Sequence, residues 1–440
     1  MYIFIFFILF ISIIKSNVII LTFKTITSNK ITHENFISQL INNKICIELK
    51  IGTPSQKIQV LLKLNQIPFF ITSSSYNNNT ILFNPSKSSS YSQDGNKTYS
   101  SNYYDYNQAY FGEDIISIAN ISNKDSFLNR THFFLATNLS DNIINEIISG
   151  EIGLNIINPI YMSFINQLKN KRMIKDYIFS LKYNTENEGE FHLGNYYHFY
   201  DDNYNESEFK IMEVGLPEKY IDNWELYFYK IILGSGNITH TNKVLLSYEF
   251  GLIYGTSYYY NLIKEIFLDS YKKNCEKKIF KKNDFYYVCD NKLNLDNFPD
   301  LIFMYFDFNF TLTKNELWRK FDGKYYFLII FSEEERDEWV LGKIFFQKYT
   351  ILFNLDAKKI GFYQNFQKKN QKDTNNHQKK FNLSVSWILV IVLSILLIVV
   401  IIYIFYYLKI KIRKKRVNEL EDNYDYTAQN NNNEPISINN

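Results

Sequence analysis

The stretch Ile51–Ile71, with the sequence IGTPSQKIQVLLKLNQIPFFI, decides how the rest of the chain is interpreted. The segment that leads into it, Cys46–Ile51, alternates apolar and polar residues, as a half-buried strand does. Gly52-Thr53-Pro54 interrupts this pattern, and proline presets the backbone angle that a turn needs. Ile58–Leu62 then reads as a second strand that runs back along the first. The stretch therefore predicts two strands around a turn.

Composition sets the broad class of the protein. The chain has 440 residues and a formal net charge of only +3, so it lacks the strongly basic balance that nucleic-acid binding would favour. Hydrophobic residues make up 46% of the sequence, which is enough for a large core. We expect a folded globular domain that does not bind nucleic acid.

The two predicted strands resemble the N-terminal lobe of the pepsin-like (A1 family) aspartic proteases. In that family Ile-Gly-Thr-Pro-x-Gln is followed by a strand, the catalytic Asp-Thr-Gly-Ser-Ser motif and a Leu-Trp-Val-like run. The similarity extends through Gln56 and Val60 and returns at Phe69–Ile71. It fails at Lys63-Leu64-Asn65, which stands where the family has Asp-Thr-Gly.

Further motifs of the first lobe follow in the family's order. Phe83–Tyr91, FNPSKSSSY, is similar to the Phe-Asp-Pro-Ser-x-Ser-Ser-Thr-Tyr loop, and Gly150–Asn155, GEIGLN, resembles Gly-Ile-Leu-Gly-Leu-Gly. Phe164–Lys171 predicts a helix from its apolar spacing. Tyr177–Leu181 and Gly189–Gly194 resemble the strands of the hairpin that comes next.

The second half of the chain repeats the design. Trp224–Leu233 resembles the strand that opens the C-terminal lobe, and Trp339–Gly342 resembles the closing Trp-Ile-Leu-Gly segment. Between them, Val244–Ile253 matches the second catalytic signature except that Ser247-Tyr248-Glu249 replaces Asp-Thr-Gly. The resemblance implies an all-β, bilobal pepsin-like fold, with lobes at 44–220 and 221–365.

Aspartic proteolysis needs two carboxylates that are close enough to share one proton. By the resemblance, Lys63 and Ser247 occupy those two positions, and neither side chain can replace a carboxylate in this role. Leu64 lacks the hydroxyl that cross-braces the two catalytic loops, and Asn65 and Glu249 add bulk where the family has glycine. We therefore expect no catalytic residues, no metal and no cofactor.

Three functions remain open at this point. The first is an inactive pseudoprotease that binds a peptide or protein partner, and the second is a membrane-bound aspartic endopeptidase, as the family implies. The third is a glycosylated surface protein without a cleft ligand. A separate enzymatic alternative pairs Ser247 as nucleophile with Lys63 as base.

The substrate-covering flap of the family corresponds to Ser101–Ile118. Tyr103 or Tyr104 is the candidate flap tyrosine, Gly112 is a further cleft candidate, and Asp105–Gln108 is expected to form the turn of a hairpin. A tyrosine-rich hairpin without a ligand role explains the same residues equally well.

Apolar runs at the two ends predict a membrane topology. Tyr2–Ile14 has the length of a signal-peptide core, and 387–408 is long enough to span a bilayer. The basic cluster Lys409–Arg416 follows the second run directly, which predicts a cytosolic C-terminus. The chain therefore reads as a single-pass type I membrane protein whose ectodomain lies in the secretory lumen or outside the cell. Its expected segments besides the lobes are a signal peptide at 1–16, a short extension at 17–43, a polar stalk at 366–386, the transmembrane helix at 387–408 and a tail at 409–440.

Sequons and cysteines agree with an extracytoplasmic domain. Nine Asn-x-Ser/Thr sequons precede the predicted membrane span: Asn78, Asn96, Asn120, Asn129, Asn138, Asn205, Asn237, Asn309 and Asn382. Cys275 and Cys289 could close a loop of about 15 residues, and the resemblance matches them to the disulfide of the C-terminal lobe. Cys46 is left over as a buried thiol.

Overall fold

The computed structural model of the protein describes residues 18–26, 32, 35–66, 68–74, 82–99, 106–118, 126–139, 149–156, 163–215, 223–234, 236–238, 242–281, 283–306, 308–363, 394, 398 and 401–412. The chain divides into a large unit, Met1–Gln367, and a second unit, Lys368–Asn440. The large unit is built mainly of β-strands. In the second unit, residues 401–412 form a helix with exposed side chains.

The first half of the large unit contains eleven of the described strands and two short helices. They are β1 (Ile19–Ile26), α1 (Phe36–Ile41), β2 (Lys44–Ile51), β3 (Gln56–Lys63), β4 (Phe69–Thr72), β5 (Ser92–Tyr99), β6 (Tyr106–Ile118), β7 (Ser126–Leu139), β8 (Gly150–Gly153), α2 (Phe164–Asn170), β9 (Ile178–Tyr183), β10 (Glu188–Leu193) and β11 (Phe209–Glu213).

The second half contains the remaining described elements. They are β12 (Glu225–Phe228), β13 (Lys230–Leu233), β14 (Gly236–Ile238), β15 (Asn242–Leu246), β16 (Ile253–Tyr254), α3 (Ser257–Ile266), β17 (Cys275–Ile279), β18 (Asp284–Cys289), β19 (Leu301–Tyr305), β20 (Phe308–Leu312), α4 (Lys314–Leu317), β21 (Trp318–Phe321), β22 (Lys324–Phe327), β23 (Ile329–Ser332), β24 (Glu338–Leu341), α5 (Lys343–Lys348), β25 (Ile351–Asn354) and β26 (Lys359–Tyr363).

Each half has its own sheet, and β25 and β26 of the second half return to the first one. The sheet of the first half has the order β11-β26-β25-β9-β10-β1-β2-β3-β8-β4-β7-β6-β5. The second half forms a nine-stranded sheet along β12-β15-β24-β16-β23-β18-β22-β21, with β17 on β18, and a four-stranded sheet β14-β13-β19-β20. This arrangement agrees with the predicted all-β fold of two lobes.

The two halves share one local strand pattern. In the first half β8 runs parallel to β3 and antiparallel to β4, and β4 runs parallel to β7. In the second half β24 runs parallel to β15 and antiparallel to β16, and β16 runs parallel to β23. Lys63, at the end of β3, and Ser247, directly after β15, therefore stand at equivalent places in the two halves.

The hydrophobic core runs through both halves. Strand β2 buries Ile47, Leu49 and Ile51 while Glu48 is exposed and Lys50 is partly exposed, which is the alternation that its sequence predicts. Cys46, on the other face, is also buried. Trp224 and Trp339 are fully buried, and the Trp224 Nε1–H donates to the Leu154 carbonyl at 2.8 Å. The predicted helix at Phe164–Lys171 is confirmed as α2, and the Ser163 side chain caps its N-terminus.

The cysteines pair as the resemblance implied. A disulfide joins Cys275 to Cys289 across the antiparallel pair β17–β18, where the two residues lie opposite each other. Cys46 is a free, buried thiol, as predicted.

The predicted terminal segments lie mostly beyond the part of the chain that the structure describes. The signal peptide at 1–16 and the stalk at 366–386 fall entirely outside the described residues, as does most of 387–408. Among the residues that are described, no helix is both long and apolar enough to cross a membrane.

Candidate functional site

Lys63 ends β3 and forms an ion pair with a glutamate on the neighbouring strand. The parallel register places Lys63 opposite Gly153, so Glu151, two residues earlier on β8, projects on the same side. Lys63 Nζ lies 2.8 Å from Glu151 Oε1. The Glu151 side chain is only 1% exposed, whereas that of Lys63 is 22% exposed. The carboxylate is therefore withdrawn from water and the ammonium reaches the surface.

This pair fixes what Lys63 can do chemically. A carboxylate in contact with a lysine favours the charged, ammonium form. An ammonium group donates hydrogen bonds and accepts none, so it cannot take a proton from a water or from a serine. The geometry thus argues against the Ser247–Lys63 nucleophile and base pair.

Ser247 lies at the equivalent place in the second half, directly after β15. Its residue is only 7% exposed, and its backbone is held by hydrogen bonds from Ser247 N to the Leu341 carbonyl at 3.1 Å and from Phe250 N to the Ser247 carbonyl at 3.1 Å. These contacts form a turn over 247–250. The position offers a hydroxyl and no carboxylate.

A hydrogen bond between the two halves connects the loops that begin at Lys63 and Ser247. The backbone N–H of Leu64 donates to Glu249 Oε1 at 2.5 Å. The threonine hydroxyls of the family's brace are absent from this chain, as the sequence implied, and a different contact joins the two loops. A carboxylate from the second loop now accepts from the first, and hydrogen bonds to a charged acceptor are stronger than neutral ones.

The first loop is also held from below by the segment after β8. Leu154 N donates to the Lys63 carbonyl at 2.8 Å, and Asn155 N donates to the Gln66 carbonyl at 3.0 Å. Asn155 Nδ2 adds a bond to the Asn65 carbonyl at 3.3 Å. The backbone of this loop is therefore well anchored although its side chains carry no acid.

Comparison with known families agrees with this geometry. A sequence model described as eukaryotic aspartyl protease matches residues 45–365. The chain belongs to the eukaryotic aspartyl protease family. A search among curated proteins finds no match.

Within this aspartyl protease domain, the N-terminal segment packs on the second half. Phe36 of α1 stacks on Phe321 with ring centroids 4.3 Å apart. Gly251 N donates to the Ile41 carbonyl at 2.7 Å, and a Cβ at Gly251 would lie only 1.5 Å from the Leu40 carbonyl oxygen. Only glycine permits this approach, so Gly251 ties the second loop to the segment before β2.

The flap prediction needs one correction. Tyr103 and Tyr104 lie outside the described residues, but the predicted turn at Asp105–Gln108 is wrong because strand β6 already begins at Tyr106. The side chain of Tyr106 is buried, and Asn107 Nδ2 donates to the Leu139 carbonyl at 3.0 Å. Strand β6 therefore begins within the segment that was predicted to form the turn.

Gly112 lies within β6, opposite Phe133 of β7 and Gln93 of β5. A Cβ at this position would come within 2.9 Å of the Tyr91 hydroxyl oxygen. Gly112 therefore makes room for the Tyr91 ring, and its assignment to the cleft stays a prediction.

Asp114 is a buried aspartate of the first half that is fully engaged in structure. Its carboxylate accepts hydrogen bonds from Ser88 Oγ at 2.7 Å and Ser90 Oγ at 2.6 Å. These bonds fasten the serine-rich loop that the sequence matched to the family. Asp114 thus anchors a loop and supplies no carboxylate to the pair of loops at Lys63 and Ser247.

A second group of buried titratable side chains surrounds His192. Its Nε2 lies 2.8 Å from Glu190 Oε2 and its Nδ1 lies 2.8 Å from Tyr200 Oη. Because an ionised carboxylate only accepts, Nε2 carries the proton and Nδ1 accepts from the tyrosine. The hydrogen bond from His192 lowers the pKa of Glu190 to about 2, and burial lowers the pKa of His192 itself. Burial therefore favours the neutral histidine, against the opposing effect of Glu190.

The structure describes the backbone of six of the nine predicted sequon asparagines. Asn138, Asn205 and Asn309 are exposed, which leaves them accessible for the predicted glycosylation. The backbones of Asn96, Asn129 and Asn237 lie in β5, β7 and β14. Asn78, Asn120 and Asn382 lie outside the described residues.

Proposed function

We propose that this chain is a catalytically inactive, membrane-anchored member of the aspartyl protease family whose cleft binds a peptide or protein partner. The observation that carries the proposal is the Lys63–Glu151 ion pair at 2.8 Å. By the resemblance Lys63 stands at the first catalytic position, and there it has its own buried counterion. A lysine whose charge is paired is a stable substitution for the acid. By the same resemblance, Ser247 stands in place of the second acid.

The brace between the loops supports binding without catalysis. The Leu64–Glu249 hydrogen bond keeps the two halves together at the point where the family's active site lies. In our proposal the family's cleft between the two halves holds an extended peptide, largely by main-chain hydrogen bonds. The anchor follows from the apolar run at 387–408 and its basic flank.

The test of inactivity uses the purified full chain and an acid-denatured protein substrate between pH 3 and 7. This is the range in which a carboxylate pair would work. We expect no cleavage that pepstatin inhibits. Pepstatin-sensitive cleavage that survives in a Ser247→Ala variant would contradict the assignment of the catalytic positions as well as the inactivity.

The test of binding uses an immobilised library of random-sequence peptides and the same full chain. We expect a restricted set of peptides to be retained, and the Tyr104→Ala variant to lose them. Tyr258→Ala is the matched control, because it removes an exposed tyrosine from helix α3 of the other half. Equal retention by both variants, or retention of no peptide, would refute cleft binding and leave the glycosylated surface protein as the better account.

Family membership favours one alternative, a membrane-bound aspartic endopeptidase. That function requires an acid pair between the loops. Among the described residues the carboxylates in contact with these loops are Glu151 and Glu249, and each is already engaged, the first by Lys63 Nζ and the second by the Leu64 N–H. The cleavage assay above decides between the two functions.

A further inference from the structure

A small pocket lies beside the second loop, where the N-terminal segment meets the second half of the domain. Its volume is about 80 Å³. Gln39, Asn43 and Thr25 line it from the first side, and Gly251, Arg319 and Lys343 line it from the other. The pocket is distinct from the positions of the lost catalytic acids, yet it touches the same loop.

Two polar atoms of the lining have no hydrogen-bond partner among the described residues. They are Thr25 Oγ1 and Asn43 Oδ1, and both are buried. The orientation of the Asn43 amide is fixed, since Nδ2 donates to the Tyr248 carbonyl at 2.6 Å and a carbonyl only accepts. Buried polar groups are rarely left unpaired. Asn43 Oδ1 therefore offers an acceptor to a donor that enters the pocket.

The charges of the lining favour an anion. Arg319 forms a two-pronged ion pair with Glu186, which neutralises both groups. Lys343 forms no such pair with a described carboxylate, and its Nζ lies 3.4 Å from Asn187 Oδ1. Two cations thus face one carboxylate. Burial lowers the pKa of Lys343 to about 8, so the charged form lacks the stabilisation that an anion would give.

We propose that this pocket binds a small organic anion with a hydrogen-bond donor next to its carboxylate, as in a 2-hydroxy acid. The carboxylate contacts the ammonium of Lys343, and the hydroxyl donates to Asn43 Oδ1 or Thr25 Oγ1. A pocket of this volume holds roughly five water-sized spheres, which suits a ligand of about five non-hydrogen atoms.

The pocket is connected to the floor of the cleft through Asn43. Besides the bond to Tyr248, Asn43 N donates to the Glu249 carbonyl at 3.0 Å. A ligand that holds Asn43 in place also holds the loop whose carboxylate braces Leu64. The inference does not depend on whether the cleft binds peptides.

The test is isothermal titration of the full chain at pH 7 with three probes: glycolate, acetate and ethylene glycol. We expect glycolate to bind, acetate to bind at least threefold more weakly because it lacks the donor, and ethylene glycol not to bind. Lys343→Gln should weaken glycolate at least tenfold. The control Lys348→Gln, in the same helix but paired with Glu316 at 3.0 Å, should leave glycolate binding unchanged. Equal affinity in wild type and Lys343→Gln, or no binding of glycolate at 20 mM, would overturn the proposal.

A second measurement needs no variant. The affinity of the wild-type chain for glycolate should fall between pH 7 and 9 as Lys343 loses its proton. The groups that face Lys343 keep their charge over this window: Glu186, whose pKa is lowered by its bond to Arg319, Arg319 itself, and Tyr183, whose pKa burial raises. A flat profile over this range would refute the role of Lys343 even if the variant did not fold.

Discussion

Replacing Lys63 by methionine tests whether its ion pair is the interaction that makes the altered catalytic loop stable. Lys63→Met keeps most of the side chain's length and removes its charge. Glu151 is then left with 1% of its side chain exposed, so water cannot take the place of the ammonium. Removing one partner of a buried ion pair typically costs about 3–5 kcal/mol.

The Glu151 carboxyl can relieve this cost by taking up a proton, so the free energy of that protonation is an upper limit on the loss of stability. Protonating a glutamate with the ordinary pKa of about 4.3 costs about 3.7 kcal/mol at pH 7, at 1.36 kcal/mol per pH unit. The same limit is about 1 kcal/mol at pH 5. We therefore expect Lys63→Met to lower the free energy of unfolding by about 3–3.7 kcal/mol at pH 7 and by about 1 kcal/mol at pH 5. The sign follows because the folded variant binds the proton more tightly than its unfolded chain does, so its stability falls as the pH rises.

The assay is urea unfolding of the full chain, followed by tryptophan fluorescence at both pH values. The matched control is Lys63→Met combined with Glu151→Leu, which removes both charges and should be neutral or even stabilising by about 1–4 kcal/mol. Glu151→Leu alone should cost less than Lys63→Met, because the ammonium is 22% exposed and keeps part of its hydration. If Lys63→Met and the double variant had the same stability at pH 7, or if the cost did not change with pH, the reasoning would be wrong.

Three further predictions concern other contacts of the domain. Glu249→Ala removes the acceptor of the Leu64 N–H and should lower the free energy of unfolding by about 1.5–3 kcal/mol. Glu249→Gln keeps a neutral acceptor and should lower it less. Equal losses of stability in urea unfolding would contradict this prediction. Burial lowers the pKa of His192, so the free energy of unfolding of the wild-type chain should fall as the pH drops through about 6.5. The urea midpoint of unfolding of His192→Gln should change less between pH 7 and 5. Parallel plots of midpoint against pH for the two proteins would count against this prediction. Cys275→Ser breaks the disulfide to Cys289 and should lower the free energy of unfolding by about 3 kcal/mol in the chain-entropy model. A loss of unfolding free energy, measured by thermal melts, of less than a third of this value would refute the prediction.

The strands of the first half were predictable because their patterns are local. Cys46–Ile51 alternates apolar and polar residues, and the strand found, Lys44–Ile51, begins two residues earlier. The flap turn failed for the opposite reason. Asp105–Gln108 has the residues of a turn, but Tyr106 packs its ring against Phe70 and Phe134, and that burial extends the strand through a sequence suited to a turn.

The two acids at the site show the limit of reading the chain by motif. Glu151 stands inside an otherwise apolar strand motif, and a buried acid needs a partner, so its presence was a usable signal. Its partner depends on the parallel register of β8 with β3, which no local pattern specifies. Glu249 was recognised only as excess bulk where glycine was expected, because its role as acceptor arises from the approach of the two halves.

The contacts around Glu249 also explain how the frame of the domain holds without acids at positions 63 and 247. Where two backbones meet in a packed interior, each N–H needs an acceptor whether or not the site is active. In this chain the Leu64 N–H meets the carboxylate of Glu249, and the carbonyl of Lys63 accepts from Leu154 N. None of these bonds involves a carboxylate at position 63 or 247, so the frame holds with Lys63 and Ser247 in those places. The intact frame is therefore compatible with either function, and the choice between enzyme and binding protein depends on the chemistry of the Lys63 and Ser247 side chains.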